Sequence, residues 1–301
     1  IELKKVSLMA WETNKLPDIF LECLKVDYDF LILHTKCHYD SIKEDLEIPS
    51  AVLHYPMLEY YNPPDRESTN WLRDDGKFRI LSSSAFTDRK GWGELINAFY
   101  SEFHEDENVE LMIKTHGATD YIVEILQKMK LQSSAQVTDP DSTDIPKKLI
   151  KLEPKCKVLL NNSEMSEEQI KKMYAESDVY ATATRGEGFG LTIAKAALSG
   201  VPLIVPNCGG HLDFCSDYSY RVKCYTAPIH NMPWYWYTNR DMYLYTVDHI
   251  SLKRTLRQAY EDWKTSKLER MGALGKEYAE KALSTDTVEK GIRNIMRRLD
   301  E

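Results

Sequence analysis

The chain has 301 residues, enough for two domains of ordinary size that each bury a core of their own. Hydrophobic residues make up 43% of the sequence and aromatic residues 11%, which excludes a disordered or low-complexity protein. The net charge of −8 argues against a protein whose main task is to bind nucleic acid backbones. No apolar run approaches the ~18 residues of a membrane-spanning helix. The six cysteines form no C-x-x-C pair, which favours a reducing compartment, and we expect a cytoplasmic protein.

The first 60 residues are predicted to form βα units. The apolar runs and helical spacings predict strands and helices in the order Val6–Trp11, Leu16–Leu24, Tyr28–Leu33, Ser41–Leu46 and Ala51–His54. Apolar strands that alternate with helices predict a parallel sheet covered on both faces. Three strands are few for such a sheet, and the first of them follows Ile1 almost at once. We therefore expect residues 1–60 to be the end of a domain that a preceding segment or a partner completes.

Residues 61–77 are rich in Asn, Pro and charged side chains and are predicted to be a linker. A second α/β series begins at Phe78. Its predicted strands are Phe78–Ser82, Val109–Lys114, Lys157–Leu160, Val179–Thr182 and Pro202–Val205. Its predicted helices are Gly93–Phe103, Tyr121–Lys130, a capped helix from Ser166 to Glu176, Leu191–Leu198, Ser251–Trp263, Leu268–Ala282 and Thr287–Leu299. The polar stretch Gln132–Asp144 is predicted to be irregular, and the last third of the chain to be helical.

The segment Arg185–Leu191 (R-G-E-G-F-G-L) joins a predicted strand to a predicted helix. Glycines let a backbone approach a ligand closely, and the first N–H groups of a helix have no partner within the helix. Such a turn suits a diphosphate, and Glu187 could accept hydrogen bonds from sugar hydroxyls. The same residues fit a glycine-rich strand–helix junction with a solvent-facing glutamate equally well.

A second candidate loop, Ser82–Trp92, follows the first strand of this series. The carboxyl ends of parallel strands open on the ligand crevice, where Arg89 and Lys90 could neutralise a diphosphate. Taken alone, this loop is more typical of a solvated turn. Two loops at the same sheet edge, one basic and one glycine-rich with a carboxylate, favour a binding site.

With these segments in this order and spacing, residues 78–299 resemble the donor-binding domain of a GT-B glycosyltransferase, most closely family 4 of the retaining enzymes. The segments that carry the resemblance are R-K-G-W at 89–92, E-G-F-G-L at 187–191, S-G-V-P-L-I-V at 199–205 and G-G-H-L-D-F at 209–214. The segments 11–17 and 49–54 resemble the end of that family's first domain. The resemblance implies an α/β fold of two Rossmann-like doubly wound domains, the first incomplete in this chain.

The implied domains are residues 1–60 on the acceptor side, the linker 61–77, the donor domain 78–285, and a C-terminal helix 286–301 that packs back on the first domain. The resemblance assigns the sugar hydroxyls to Glu187 and the diphosphate to Lys90. It assigns the backbone of the binding turn to Gly188, Phe189, Gly190 and Leu191. Further expected neighbours of the donor are Arg89, His116, Gly210 and His211.

Two positions depart from the family pattern. The ribose-binding glutamate eight residues after Glu187 is replaced by Lys195, and the arginine six residues before Lys90 is replaced by Ser84. The loss of one charge-assisted hydrogen bond would weaken donor binding by roughly ten- to a hundredfold. Our hypothesis is that Lys195 supplies part of the charge missing at Ser84, or that the ribose is held in another way.

Other patterns favour structural roles. Asp139-Pro140-Asp141 has the D-x-D form of a metal site, but it lies in a loop rich in turn-forming residues. Cys208, His211 and Cys215 are one ligand short of a zinc site. The aromatic cluster at 234–237 is more typical of loop packing than of a carbohydrate platform. We expect neither a metal nor a cofactor.

The resemblance thus implies a retaining, metal-independent transferase that takes a nucleotide-diphosphate sugar as donor and an unidentified acceptor. Two alternatives remain open. One is a nucleotide-sugar-binding subunit that has lost catalysis, and the other is a nucleotide-sugar epimerase on the same architecture.

Overall fold

The computed structural model describes residues 4–66, 75–104, 106–116, 132–136, 149–153, 157–229 and 241–300. The predicted helix 121–130 and the segments 139–141 and 234–237 lie outside the described residues. The strands are β1 Val6–Met9, β2 Phe30–Leu33, β3 Ser50–Val52, β4 Phe78–Ser83, β5 Val109–Lys114, β6 Gln132–Gln136, β7 Leu149–Glu153, β8 Lys157–Asn161, β9 Val179–Ala181, β10 Leu203–Pro206, β11 Tyr220–Val222, β12 Cys224–Ala227 and β13 Leu244–Val247. The helices are α1 Asp18–Asp27, α2 Lys36–Ile42, α3 Met57–Tyr61, α4 Trp92–Glu102, α5 Glu167–Ala175, α6 Leu191–Leu198, α7 His249–Trp263, α8 Lys267–Leu283 and α9 Thr285–Asp300.

The first sheet has the order β1-β2-β3, and both of its strand pairs are parallel. Phe30, Leu31 and Leu33 on the central strand are fully buried. Their burial explains why this strand is an unbroken apolar run, because a central parallel strand packs against neighbours on both faces. The three-stranded parallel sheet is as predicted.

The second sheet has six parallel strands in the order β11-β10-β9-β4-β5-β8. The chain first builds outward from β4 to β5 and β8, then returns to the other side of β4 with β9, β10 and β11. The order therefore reverses between β4 and β9. In open α/β sheets ligands bind outside the carboxyl ends of the strands at this switch point. Both candidate loops leave the sheet there.

The second sheet is covered by helices on both faces. A large core joins β4, β5 and β9 to α4 and α7, with Phe78, Phe99 and Leu256 fully buried. A second core joins the other face to α3, α6 and α8. The helix α5 begins with the predicted capping box, in which the Ser166 hydroxyl accepts from the Gln169 N–H and the Gln169 side chain accepts from the Ser166 N–H.

The last helix, α9, lies against the first sheet rather than the second. Arg298 donates to the carbonyl of Ser50 at 2.8 Å, and its guanidinium lies 5.1 Å from the centroid of the Phe30 ring. A Cβ on Gly291 would come within 2.5 Å of Leu53. The end of the chain therefore joins the two sheets.

The structure corrects three predictions of secondary structure. Gln132–Gln136 is a strand paired antiparallel with β7, although its small polar side chains give no apolar pattern to detect. The helix predicted from Ser41 is α2, which begins at Lys36 and buries His38 and Ile42, four residues apart on one face. The last third of the chain is not only helical. It also contains β11 and the antiparallel pair of β12 and β13, whose strands are three or four residues long.

Candidate functional site

Two loops touch at the switch point between β4 and β9. Arg89 and Lys90 lie in a short helical turn after β4, and Glu187 lies in the glycine-rich turn after β9. Gly91, which ends the first loop, has a φ of +67°, and a Cβ there would lie 2.0 Å from the carbonyl oxygen of Ala183. Only glycine fits this close approach. It lets the basic loop and the glycine-rich loop share one site.

Glu187 forms a largely buried ion pair with the basic loop. The Lys90 ammonium lies 2.5 Å from Oε1 of Glu187, and the two side chains are 13% and 11% exposed. Arg89 lies 3.9 Å from Oε2 and donates to the carbonyl of Gly186 at 2.6 Å. Burial alone would raise the pKa of Glu187, but the charges of Lys90 and Arg89 hold that pKa below its ordinary value. The carboxylate is therefore ionised at neutral pH and can accept hydrogen bonds.

The glycine-rich turn leads directly into α6. Gly190 has a φ of +94° and precedes the first helical residue, Leu191, whose side chain is 49% exposed. The first N–H groups of the helix have no acceptor within it. They open beside Glu187 at the carboxyl edge of the sheet, which gives the site backbone donors suited to an anion.

A segment of the first domain, Trp11–Lys15, crosses the same turn. A Cβ on Gly186 would lie 2.0 Å from the carbonyl oxygen of Glu12, and one on Gly188 would lie 3.0 Å from that of Trp11. The Glu12 carboxylate also lies 3.2 Å from the Arg89 guanidinium. These glycines thus permit a close approach of two protein backbones as well as of any ligand.

Gly210 and His211 lie beneath the turn. The Gly210 N–H donates to the Glu187 carbonyl at 2.9 Å, and a Cβ there would lie 2.2 Å from the carbonyl oxygen of Gly188. His211 is fully buried, and its Nε2 donates to the carbonyl of Pro206 at 3.0 Å. Burial lowers its pKa, so the ring is neutral at physiological pH. The loop of Gly210 and His211 therefore supports the backbone of Glu187.

The Phe189 side chain does not face the crevice. It is 4% exposed and packs between the domains, edge-on to Tyr55 at 5.0 Å and tilted against Phe214 at 5.0 Å. Beside it, Nε2 of His54 donates to the Asp213 carboxylate at 3.1 Å. The ring therefore anchors the turn to the first domain, and only its backbone is available to a ligand.

Three of the predicted site residues contact other groups than Lys90 and Glu187. The Ser84 hydroxyl donates to the neighbouring carbonyl of Ala85 at 3.4 Å. The Lys195 ammonium lies over the ring of Tyr61, 5.3 Å from its centroid. His116 is exposed at the end of β5, and its carbonyl accepts from Thr115 at 3.4 Å. The loop of Ser84 nevertheless belongs to the same sheet edge, because its N–H donates to the Lys114 carbonyl.

Glu12 and Thr184 are the site residues that sequence reasoning missed. Glu12 stood out only as part of the W-E-T segment, with nothing to indicate that it reaches Arg89 across 77 residues of chain. Thr184 hydrogen-bonds the Glu187 side chain and the carbonyl of Gly186. A threonine three residues after the end of a strand carries no distinctive signal.

The described residues offer no cluster of three or more His, Cys, Asp and Glu side chains placed to bind a metal ion. The three residues weighed for zinc do not converge, since Cys208 pairs with Cys224 instead and His211 bonds a carbonyl. None of the helices within the described ranges combines the length and apolar character needed to cross a bilayer.

Comparisons with known proteins agree with this architecture. The chain is similar in structure to the Anabaena protein HepE in complex with UDP and glucose, with a TM-score of 0.60 and 14% identity over 93% of this chain and 66% of that one. It is similar to the pneumococcal O-GlcNAc transferase GtfA in complex with UDP and GlcNAc, with a TM-score of 0.60 and 16% identity over 98% and 53%. A glycosyltransferase from Rickettsia africae gives a TM-score of 0.63 and 13% identity over 98% and 70%.

The chain thus spans between about half and 70% of the length of these proteins. No curated protein sequence matches it significantly. The sequence model of the family described as glycosyl transferases group 1 matches residues 65–227, more than half of the chain, and includes both candidate loops. This chain therefore belongs to the glycosyl transferases group 1 family and has its GT-B type of fold, as the resemblance predicted.

Proposed function

We propose that this chain binds a nucleoside diphosphate sugar and transfers the sugar to an acceptor, with retention of anomeric configuration and without a divalent metal. The observation that carries the proposal is the pairing of Lys90 and Arg89 with Glu187 at the switch point of the second sheet. A cationic group beside an ionised carboxylate suits a ligand with an anionic diphosphate and a neutral polyol next to each other.

The described contacts leave capacity for such a ligand. An ammonium group has three donors, and the ion pair with Glu187 occupies one of those of Lys90. A carboxylate accepts about four hydrogen bonds, so Glu187 can hold sugar hydroxyls while it stays paired with Lys90. The N–H groups at the start of α6 add donors for the diphosphate oxygens.

In the proposed reaction the protein contributes mainly electrostatics. Charge grows on the diphosphate as the bond to the sugar breaks, and Lys90, Arg89 and the backbone donors stabilise that charge more than they stabilise the ground state. The acceptor attacks the face that the leaving group departs from, and the departing phosphate takes the acceptor's proton. Glu187 holds the sugar in position. In this proposal the cationic side chains stabilise the charge on the leaving diphosphate, which is the role of a metal ion in other transferases.

The structural neighbours support a uridine nucleotide as the first donor to test. HepE and GtfA were solved with UDP and a sugar, and HepE also with UDP-glucose. Their low identity to this chain leaves the sugar and the acceptor to experiment.

The direct test is incubation with a panel of UDP-, GDP- and ADP-sugars, with EDTA present, while released nucleoside diphosphate is measured. Release that Glu187→Ala abolishes and Glu167→Ala leaves intact supports the proposal, because Glu167 is an exposed glutamate on α5. Interconversion of sugars without release would indicate an epimerase. Tight binding without turnover would indicate a binding subunit, and turnover untouched by Glu187→Ala would refute the site. The anomeric configuration of the product, read by NMR, tests retention.

A further inference from the structure

Two thiols that the proposed reaction does not use lie side by side under the candidate site. Sγ of Cys208 and Sγ of Cys224 are 3.5 Å apart, and both are free. Cys208 follows β10 and Cys224 opens β12. The last register pair of β10 and β11 joins Pro206 to Val222, and each cysteine lies two residues beyond its member of that pair.

The two thiols differ in reactivity. Cys208 is buried, whereas Cys224 is partly exposed at the start of its strand. The hydrogen bond that Cys208 donates to Cys224 lowers the pKa of Cys224, while the same hydrogen bond and then burial raise the pKa of Cys208. The thiolate is the nucleophile in disulfide exchange. Cys224 is therefore placed to react first and Cys208 to resolve the intermediate.

The pair is connected to Glu187 through a short stretch of backbone. Asn207, next to Cys208, donates its N–H to the carbonyl of Val222 at 2.8 Å. Gly210, two residues after Cys208, donates its N–H to the carbonyl of Glu187 at 2.9 Å. The intervening Gly209 has a φ of +95°, and a Cβ there would lie 3.5 Å from both N and O of Glu187. A displacement of Cys208 thus acts on the backbone that supports the Glu187 turn.

We propose that Cys208 and Cys224 are a redox modification site, which forms a reversible disulfide by exchange with low-molecular-weight disulfides and thereby loosens the Glu187 turn. The bond requires the two sulfurs to approach from 3.5 Å to ~2.05 Å, a shift of about 1.5 Å. The part of that shift that the backbone of Cys208 takes up acts on the Gly210 N–H two residues away, which donates to the Glu187 carbonyl. The site therefore couples the geometry of the turn to the thiol redox state around the protein.

The exchange balances with a small disulfide such as oxidised glutathione as the oxidant. The Cys224 thiolate attacks one glutathione sulfur, forms a mixed disulfide and releases one glutathione thiolate. The Cys208 thiol then loses its proton and attacks the Cys224 sulfur, releasing the second glutathione. Two protein thiols are oxidised to one disulfide, and one glutathione disulfide is reduced to two thiols.

The test equilibrates the full chain in glutathione buffers from fully reduced to fully oxidised, with peptide mapping by mass spectrometry. The expected product is a Cys208–Cys224 cross-link that loses two hydrogens. It is absent in Cys208→Ser and Cys224→Ser and retained in Cys215→Ser, a buried cysteine of the same region. The wild-type map decides the pairing even if a variant fails to fold. Thiols that remain reduced or simply glutathionylated in oxidised glutathione, or a cross-link to Cys37 or Cys215 instead, would overturn the proposal.

Amide hydrogen exchange tests the link to the turn without any sugar substrate. Oxidation is expected to speed exchange of the Gly210 amide by roughly fivefold, the effect of losing about one hydrogen bond. The same treatment of Cys224→Ser should leave that rate unchanged. Unchanged exchange in the cross-linked protein would overturn the coupling. Neither readout depends on the proposed transferase activity, so the failure of one proposal is distinguishable from failure of the other.

Discussion

The Lys90 ammonium and the Glu187 carboxylate meet at 2.5 Å, although 97 positions separate the two residues in the chain. Each side chain is nearly buried, and the charges of Lys90 and Arg89 keep the Glu187 carboxylate ionised. The pair therefore has a structural role as well as a proposed functional one, and the two roles can be measured separately.

Lys90→Gln is expected to destabilise the fold by about 2–3 kcal/mol at pH 7 and by much less at pH 4. In the wild type the pKa of Glu187 is lowered, so the pair stabilises the fold above the ordinary pKa of a glutamate, and that stability is lost as the pH falls. Without Lys90, only Arg89 and Thr184 oppose the effect of burial on the pKa of Glu187, so the gain in stability with rising pH becomes smaller. Urea unfolding of both proteins across this range measures that difference.

The double variant Lys90→Gln with Glu187→Gln should recover part of the stability that Lys90→Gln loses. It removes the buried carboxylate that would otherwise lack the Lys90 ammonium. Lys290→Gln is the matched control, since Lys290 and its partner Asp286 are 72% and 73% exposed and the pair should contribute little. Additive effects of the two single substitutions would contradict the coupling.

Gly186→Ala is expected to destabilise the protein by about 1–3 kcal/mol, because the new methyl group would overlap the carbonyl oxygen of Glu12. Gly93→Ala is the control, since nothing lies within 4 Å of a Cβ at this position in α4. Alanine should there stabilise the helix by about 0.5–1 kcal/mol. Thermal unfolding of the two variants should shift in opposite directions. Equal shifts would contradict the close contact between the Glu12 carbonyl and Gly186.

Much of the fold follows from local patterns. The apolar parallel strands, the Ser166–Gln169 capping box and the helix Leu191–Leu198 could be predicted, because short-range packing and capping determine them. Strand β6 could not, since its five residues are polar or small and acquire their pairing from β7. The strands β12 and β13 pair across a gap of 16 residues, which no local pattern indicates.

The site was predictable in part for a similar reason. Parallel topology brings the two loops to one edge, and so Arg89, Lys90 and Glu187 could be placed together from the sequence. The covering of the turn by Glu12 depends on the packing of two domains, which the sequence does not encode in any short pattern. Likewise, nothing in the spacing indicated that Phe189 would point away from the crevice.

Stability is also expected to depend on Asp178, at the end of the second sheet opposite the site. Burial raises its pKa to about 6, although it accepts from the Arg79 N–H at 2.7 Å and from the Trp263 indole at 3.1 Å. Because the pKa of Asp178 is higher in the folded state than in the unfolded state, the protonated carboxyl stabilises the fold fully below pH 4. This stabilisation is lost as the pH rises through about 6. The loss amounts to about 2–3 kcal/mol.

Asp178→Asn mimics the protonated carboxyl, so its stability relative to the wild type should improve by that amount between pH 4 and pH 7. Asp217→Asn is the control, because Asp217 is fully exposed. Urea unfolding at several pH values measures both variants. If the difference in unfolding free energy between Asp178→Asn and the wild type does not change with pH, the raised pKa of Asp178 is contradicted.

Glu12→Gln is expected to tighten the binding of nucleoside diphosphates. It removes a carboxylate 3.2 Å from Arg89, so that less of the guanidinium charge is neutralised before an anion binds. Because the pair is partly exposed, the gain should be about two- to fivefold and should shrink at high salt. Calorimetric titration with UDP measures it, and Glu22→Gln, at an exposed position on α1, should have no effect. Weaker binding would instead make Glu12 a support that Arg89 requires.

Lys195→Glu tests how the ribose is held, since it introduces the glutamate that the resemblance to the family leads us to expect at this position. Lys195 and Lys171 both lie over the Tyr61 ring, at 5.3 and 5.9 Å, on neighbouring helices. The substitution should cost about 0.5–1 kcal/mol of stability through the lost cation–π contact. A carboxylate beside the ribose should then strengthen binding of UDP over 2′-deoxy-UDP by roughly ten- to a hundredfold, because it gains one charge-assisted hydrogen bond.

Lys171→Glu makes the same change of charge on α5 and should leave that ratio unaltered. If Lys195→Glu also leaves the ratio unaltered, the ribose does not lie beside α6. If the binding of UDP and of the deoxy nucleotide both weaken instead, then the ammonium of Lys195 already contacts the diphosphate, as our hypothesis of compensation for the arginine expected at position 84 requires.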